Sequence, residues 1–259
     1  MCLLAFAWRA TPGLRLALIG NRDEFHARPT APLHAWEDAP GVIAGRDLAA
    51  GGTWCGIGRG GRVAALTNFR SVDPVPTAAP SRGELVTAFL TGNASAAVHA
   101  RELQARAHRY AGFSLLLADD AELWLVSNRE SAARPLAPGI YGLSNATLDA
   151  PWPKLLRARA ALASALANGQ HHVTQLAPLL LDRTTAPEDH DPLVPWFREC
   201  YGEAFVRAMS APFVVDARYG TRATTAIVVA EQGAGEILEW QHDSTGLRSS
   251  ERQHRFGPA

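Results

Sequence analysis

The chain has 259 residues, 47% of them hydrophobic and 19% charged, the make-up of a folded globule and not of a disordered chain. Its 25 basic and 25 acidic residues give a formal net charge of zero. That argues against a polyanion-binding protein, because no basic excess exists to release counterions from phosphates.

Cys2 follows the initiator methionine and is small enough for that methionine to be trimmed away. The mature chain would then begin with a residue carrying both a thiol and a free α-amine, with ordinary pKa values near ~8.5 and ~7.7–8.0. Nucleophile and base would arrive together. Leu3–Trp8 is an apolar run of strand length. Pro12–Gly13 suits a type II turn, and Leu14–Ile19 is a second apolar run that Gly20 ends. Folding the two runs about Pro12 pairs residues whose numbers sum to roughly 24, so Cys2 falls opposite or next to Arg22. The polar stretch Asn21–Arg22–Asp23–Glu24 then lies beside the first residue. Read alone, it is either a solvated salt-bridged hairpin end or part of a site. If Arg22 and the amine lower the thiol pKa, Cys2 should alkylate faster than Cys55 and Cys200.

Further along, Val42–Ala44, Thr53–Ile57 and Arg62–Thr67 read as strands joined by Gly-rich turns, with Cys55 in the core. Val72–Pro80 is a Pro-rich loop. Ser81 and Glu84 form a capping box for a helix running to about Leu90, and a second helix covers Ala94–Arg109. Phe113–Ala118, Leu123–Asn128 and Ile140–Leu143 are extended. Lys154–Ala167 is a helix closed by Asn168–Gly169, and Val173–Leu181 and Val194–Met209 are further helices. Phe213–Asp216, Thr224–Ala230 and Ile237–His242 end the chain's pattern as strands. Strand groups enclosing helical groups suggest two sheets packed between helical layers, in one domain spanning 1–259.

Three cysteines at wide spacing give neither a disulfide framework nor a zinc pattern, and a reducing compartment fits. His171–His172 and Glu188–Asp189–His190–Asp191 read as surface segments, so no metal site is expected. Ser144 lacks the GxSxG elbow. No apolar stretch reaches the ~18–20 residues that span a bilayer, and the first apolar run, broken by Arg9, is too short for a signal peptide. A cytoplasmic protein is expected. Lys154 is the only Lys among 25 basic residues, and with abundant Ala this points to the coding bias of a GC-rich, bacterial genome.

Met1–Cys2, Asn21–Arg22–Asp23–Glu24–Phe25 and Arg28–Pro29 resemble the NRDE family, also called the transport and Golgi organization protein 2 family. So do Ala44–Gly45–Arg46–Asp47–Leu48, Gly51–Gly52–Thr53–Trp54, Leu66–Thr67–Asn68–Phe69–Arg70, Ser81–Arg82–Gly83–Glu84–Leu85, Gly142–Leu143–Ser144–Asn145, Pro151–Trp152–Pro153–Lys154 and Tyr219–Gly220–Thr221–Arg222. That family is similar to N-terminal nucleophile hydrolases of the penicillin V acylase and bile salt hydrolase type. The resemblance implies an α+β fold, the αββα sandwich. It implies Cys2 as nucleophile, Asp23 as the group holding the amine and Asn145 as oxyanion donor, with Arg22 favouring the thiolate or an acidic substrate group. Asn21, Trp54, Asn68 and Arg222 are the substrate-binding candidates. The hydrolases place an Arg three residues before the Asp; here that residue is Gly20, and the guanidinium sits at Arg22. Two functions follow from the resemblance. One is hydrolysis of an amide or thioester of a small acyl substrate, without a cofactor. The other is non-enzymatic carriage of haem or an acyl lipid, with haem held non-covalently because no Cys-x-x-Cys-His motif is present. Oligomeric state is not readable from the sequence.

Overall fold

The computed structural model describes residues 2–74, 76, 78–186 and 194–257. Strands β1 (Cys2–Thr11) and β2 (Leu14–Phe25) form the first hairpin, turning at Gly13 with φ +80°, as a type II turn requires. Strands β3 (Thr30–Ala35), β4 (Ile43–Asp47), β5 (Cys55–Ile57) and β6 (Val63–Asn68) follow, then helices α1 (Gly83–Thr91) and α2 (Ala96–Arg106). Strands β7 (Phe113–Ala118), β8 (Leu123–Ser127), β9 (Arg134–Pro135) and β10 (Gly139–Leu143) precede helices α3 (Pro153–Ala167), α4 (Val173–Leu176), α5 (Val194–Tyr201) and α6 (Glu203–Met209). Strands β11 (Tyr219–Ala230), β12 (Gly235–His242) and β13 (Arg248–Phe256) complete the order. Two antiparallel sheets result, β10-β1-β2-β11-β12-β13 and β3-β4-β5-β6-β7-β8-β9.

Side-chain alternation along each strand builds three apolar layers. Leu4, Phe6, Trp8, Leu16 and Leu18 face the other sheet and pack with Ile57, Val63, Leu116 and Leu125. Leu3, Ala5, Ala7, Ala17 and Ile19 face the opposite way and pack under α3 and α4 through Leu155, Leu162 and Leu176. Ala64, Leu66, Leu115 and Leu117 pack under α1 and α2. The order helix, sheet, sheet, helix is the αββα sandwich expected from the sequence.

Several local expectations are corrected. Gly20 does not end β2; it is a strand residue paired with Leu4 and Thr225. A Cβ there would lie 2.5 Å from Leu4 Cδ2, so glycine is set by close packing and not by a turn. The Ser81–Glu84 capping box does not form. Ser81 Oγ accepts from Gly83 N at 3.3 Å, but the Glu84 carboxylate takes the Tyr110 hydroxyl at 2.6 Å instead. The 194–209 helix is split at Gly202, whose φ of +86° stops α5 before α6. Phe213–Asp216 is not a strand and makes only an isolated bridge, Val215 to Gly220. Strands β3 and β13 had no counterpart in the reading of the sequence. The largely polar β13 edges its sheet with Arg and Glu side chains, a composition that discourages edge-to-edge pairing.

Candidate functional site

The hairpin register is the one the arithmetic gives: Cys2 pairs with Arg22, Leu3 with Asn21 and Leu4 with Gly20. Cys2 therefore starts an interior strand, between β2 and β10, on the face turned to the second sheet. A cleft of about 420 Å³ opens there, lined by Cys2, Arg22, Asp23, Trp54, Asn68 and Arg82 among others.

Burial pushes the Cys2 thiol up, and the Asp23 carboxylate adds to this; Arg22 and a hydrogen bond from the Asp23 backbone N–H oppose it. The resting thiol is thus kept protonated. Desolvation outweighs the Arg22 guanidinium here; the expectation of an activated thiol is for Arg22 acting together with a freed Cys2 amine. Iodoacetamide at neutral pH should consequently label the exposed Cys200 first, then Cys2, then the buried Cys55, whose thiol burial raises well above its usual range. Mass-mapped time courses on the native protein check this. Cys2 labelled ahead of Cys200 would show that the thiolate forms despite burial.

Asp23 is buried, and burial raises its carboxyl pKa against the pull of Lys154, Thr221 and Arg22. Its Oδ1 accepts from Thr221 Oγ1 at 2.7 Å, and its carbonyl accepts from Tyr219 OH at 2.8 Å. Arg22 is 5% exposed, lies 4.5 Å over the Trp54 ring and has Glu24 and Asp47 oxygens at 3.9 and 3.8 Å. Close approach of Trp54 is possible because residue 45 is glycine; a Cβ would meet the indole at 2.5 Å. Asp47 organises this wall. One oxygen accepts from Ala49 and Ala50 N–H, and the other accepts from Arg28 Nε at 2.7 Å. Gly52 lets its loop touch the first residue of α1, where a Cβ would lie 2.5 Å from the Gly83 carbonyl carbon. That contact seats Arg82 at the cleft.

Asn145 does not line the cleft. Its Nδ2 donates to Asn68 O at 2.9 Å, and its carbonyl accepts from Arg70 N at 2.7 Å. The preceding Ser144 Oγ donates to the Cys2 carbonyl at 3.1 Å. Asn145 thus joins the ends of β10 and β6 directly behind the cleft residue Asn68.

Asn21 and Arg222 do not join the cleft either. Asn21 has the opposite strand parity to Arg22 and points into the helical layer. Its amide donates to Leu180 O and Pro212 O, both at 2.9 Å, and accepts from Thr224 Oγ1 at 2.7 Å. Arg222 occupies a β-bulge between Thr221 and Ala223, and its Nη1 donates to the carbonyls of Phe25, His26 and Arg28. Both hold backbone in place. The reading of the sequence missed Glu24, Arg28, Asp47 and Arg82 as cleft residues, although each sits in one of the motifs already quoted. It also missed Glu239, a 2% exposed carboxyl behind the cleft that accepts from Leu33 N at 2.7 Å and is raised to about 7 by burial. The Glu188–Asp191 segment lies outside the described residues. Among the described residues no cluster of three metal-ligating side chains occurs, and no helix is long and apolar enough to cross a membrane.

Two sheets between helical layers, with a cysteine opening an interior strand at the cleft, define the N-terminal nucleophile hydrolase fold. The structure of a Caenorhabditis elegans N-acylethanolamine-hydrolyzing acid amidase ortholog superposes with a TM-score of 0.50 at 13% identity, over 89% of this chain and 93% of that one. The profile of the Transport and Golgi organisation 2 family matches residues 1–244. The bovine and human Transport and Golgi organization protein 2 homologs are 35% and 34% identical over 257 and 253 residues, 90% of this chain and of each relative. The chain belongs to the Transport and Golgi organisation 2 family.

Proposed function

We propose that this protein is a cysteine N-terminal nucleophile hydrolase that cleaves an amide or thioester bond of a small acyl substrate. The carrying observation is the placement of Cys2 opposite Arg22, beside Asp23, on the wall of a 420 Å³ cleft. Removal of Met1 would free the Cys2 amine. That amine takes the thiol proton, and Asp23 holds it. The thiolate attacks the substrate carbonyl carbon and forms a tetrahedral oxyanion. The oxyanion role that the resemblance gives Asn145 would need its amide, which donates to the Asn68 carbonyl at 2.9 Å behind the cleft, to turn toward the bound substrate. Such a donor typically lowers the barrier by about 2.7–4 kcal/mol. Collapse expels the amine or thiol, protonated by the Cys2 ammonium, and leaves an acyl-enzyme that water hydrolyses.

Keeping the thiol neutral at rest suits this reading. The proton moves only when substrate has closed the cleft, so the sulfur is shielded from oxidation between turnovers. Intact mass spectrometry tests the reading in two steps. The purified chain should lack Met1, and incubation with a panel of acyl thioesters and amides should add an acyl mass that peptide mapping puts on Cys2. Retention of Met1 would lock the amine in a peptide bond and end the proposal. A parallel haem titration reads the carrier function: saturable haem binding with no acyl adduct across the panel would replace hydrolysis by carriage.

A further inference from the structure

Four guanidinium groups line the cleft or the cavity adjoining it, and three of them have a carboxylate. Arg28 and Arg22 share Asp47, at 2.7 and 3.8 Å, and Arg129 has Asp73 at 2.8 Å. Arg82 is different. Among the described residues its guanidinium makes one hydrogen bond, Nη1 to the Gly112 carbonyl at 2.9 Å, and no ion pair. It is nonetheless largely withdrawn from water, enough for burial to lower its pKa, and the carboxylate that acts on it across the cleft is Glu24. A guanidinium carries five N–H donors in a fixed fork suited to carboxylate and phosphate oxygens. Holding it half-buried with most donors unused is unfavourable unless an anion arrives.

Its position says where that anion would sit. A second cavity, of about 430 Å³, is lined by Phe69, His108, Tyr110, Asn128 and Arg129, and Arg82 and Ala111 belong to the linings of both cavities. Arg82 therefore stands at the waist between the nucleophile's cleft and a chamber carrying aromatic rings and a further guanidinium. The Gly52–Gly83 backbone contact and the Gly112 bond fix it from both sides.

We propose that Arg82 is the specificity-determining residue of the site, and that the substrate is an acyl compound bearing a carboxylate or phosphate, which Arg82 binds while the acyl carbonyl reaches Cys2. The acyl group occupies the cleft with Cys2, Trp54 and Leu66. The anionic group seats at the waist, and the remainder of the substrate extends toward Tyr110 and Arg129. This rests on the hydrolase reading of Cys2 for the orientation of the substrate, but the anion site itself does not require turnover.

The test uses thioethers, which cannot be hydrolysed. S-butyl-3-mercaptopropionate carries a carboxylate, 2-(butylthio)ethyl phosphate carries a phosphate, and 2-(butylthio)ethanol is the neutral match. Binding is followed by calorimetry on the intact protein at low and at physiological salt. The better anionic ligand should bind at least ~10-fold tighter than the neutral one, as a charge-assisted pair in a sheltered cleft allows, and the preference should shrink with salt. Arg82→Gln should erase the preference and Arg82→Lys should retain part of it, with unchanged circular dichroism. Which anion binds better distinguishes carboxylate from phosphate substrates. If Arg82→Gln fails to fold, the wild-type preference and its salt dependence still decide. Equal affinity for charged and neutral ligands, no binding of any of them, or a preference that survives Arg82→Gln overturns the inference. Arg82-dependent anion binding without an acyl adduct on Cys2 would keep this site and discard the hydrolase reading.

Discussion

Cys2→Ala is expected to lower turnover of any substrate the panel uncovers by about 10³–10⁴-fold or more, the scale seen when the attacking atom of a covalent mechanism is removed. On the proposed mechanism the sulfur forms the acyl bond, and the Thr53 and Ser81 hydroxyls that also line the cleft lack an α-amine of their own to take the proton. Cys2→Ser should keep a trace of activity, because a hydroxyl attacks far more weakly from the same position. Stability should hardly change. The thiol sits at the open end of the inter-sheet core, 8% exposed, and truncation to a methyl costs about 1–2 kcal/mol at such a site. Steady-state rates beside thermal melts separate the two effects. Wild-type turnover in a folded Cys2→Ala protein would assign the chemistry elsewhere.

Asn21→Ala should do the reverse and act on the fold. One buried amide ties β2 to two loop carbonyls, Leu180 and Pro212, and to the Thr224 hydroxyl of β11. Removing it strands two buried acceptors and one donor, each worth about 1–3 kcal/mol when left unsatisfied. The bonds share one side chain and do not add in full, so a loss of roughly 3–5 kcal/mol is expected. For a chain of this size that lowers the melting temperature by about 10 °C. A melt within about 2 °C of wild type would show that water replaces the amide, and would reopen Asn21 as a ligand-facing residue. Within one short motif, Asn21 holds the scaffold while the neighbouring Arg22, opposite Cys2, faces the cleft.

The register of the hairpin was legible, though not the length of β2, because a two-residue turn at Pro12–Gly13 and two apolar runs leave one antiparallel register that buries both faces. The same period of two also separates Asn21 from Arg22, a signal present in the sequence and not used when Asn21 was grouped with the ligand-binding candidates. The helices over Lys154–Ala167 and near Ala94–Arg109 were legible from their composition and, for the first, the Asn168–Gly169 stop; the Ser95 cap of the second, which accepts from Val98 N at 3.3 Å, was not read from the sequence. Other features depend on partners far away in the chain. Glu84 forms no capping box because Tyr110, 26 residues on, offers a hydroxyl. Arg82 reaches the cleft because Gly52 admits the backbone of Gly83. Glu239 is buried behind Arg22 because β12 lies two strands from β2 in the sheet. Motifs in series marked which segments matter, but only tertiary contact shows which of their residues face one another.

The place of β2 in its sheet sets a clock on maturation. One of its neighbours is β1, at hand at once, but the other is β11, whose first paired residue, Tyr219, lies 194 positions after Phe25. The sheet that encloses the amino-terminal cysteine stays incomplete until most of the chain has left the ribosome, about 10–40 s at ~5–20 residues per second. Throughout that interval β2 is paired on one side at most, and the backbone at Cys2 stays open to a processing enzyme. Afterwards Cys2 lies at the start of an interior strand of the completed sheet. If the proposed nucleophile depends on processing at Cys2, chains that complete this sheet first would stay unprocessed, and the reactive fraction of a preparation would record how it was expressed.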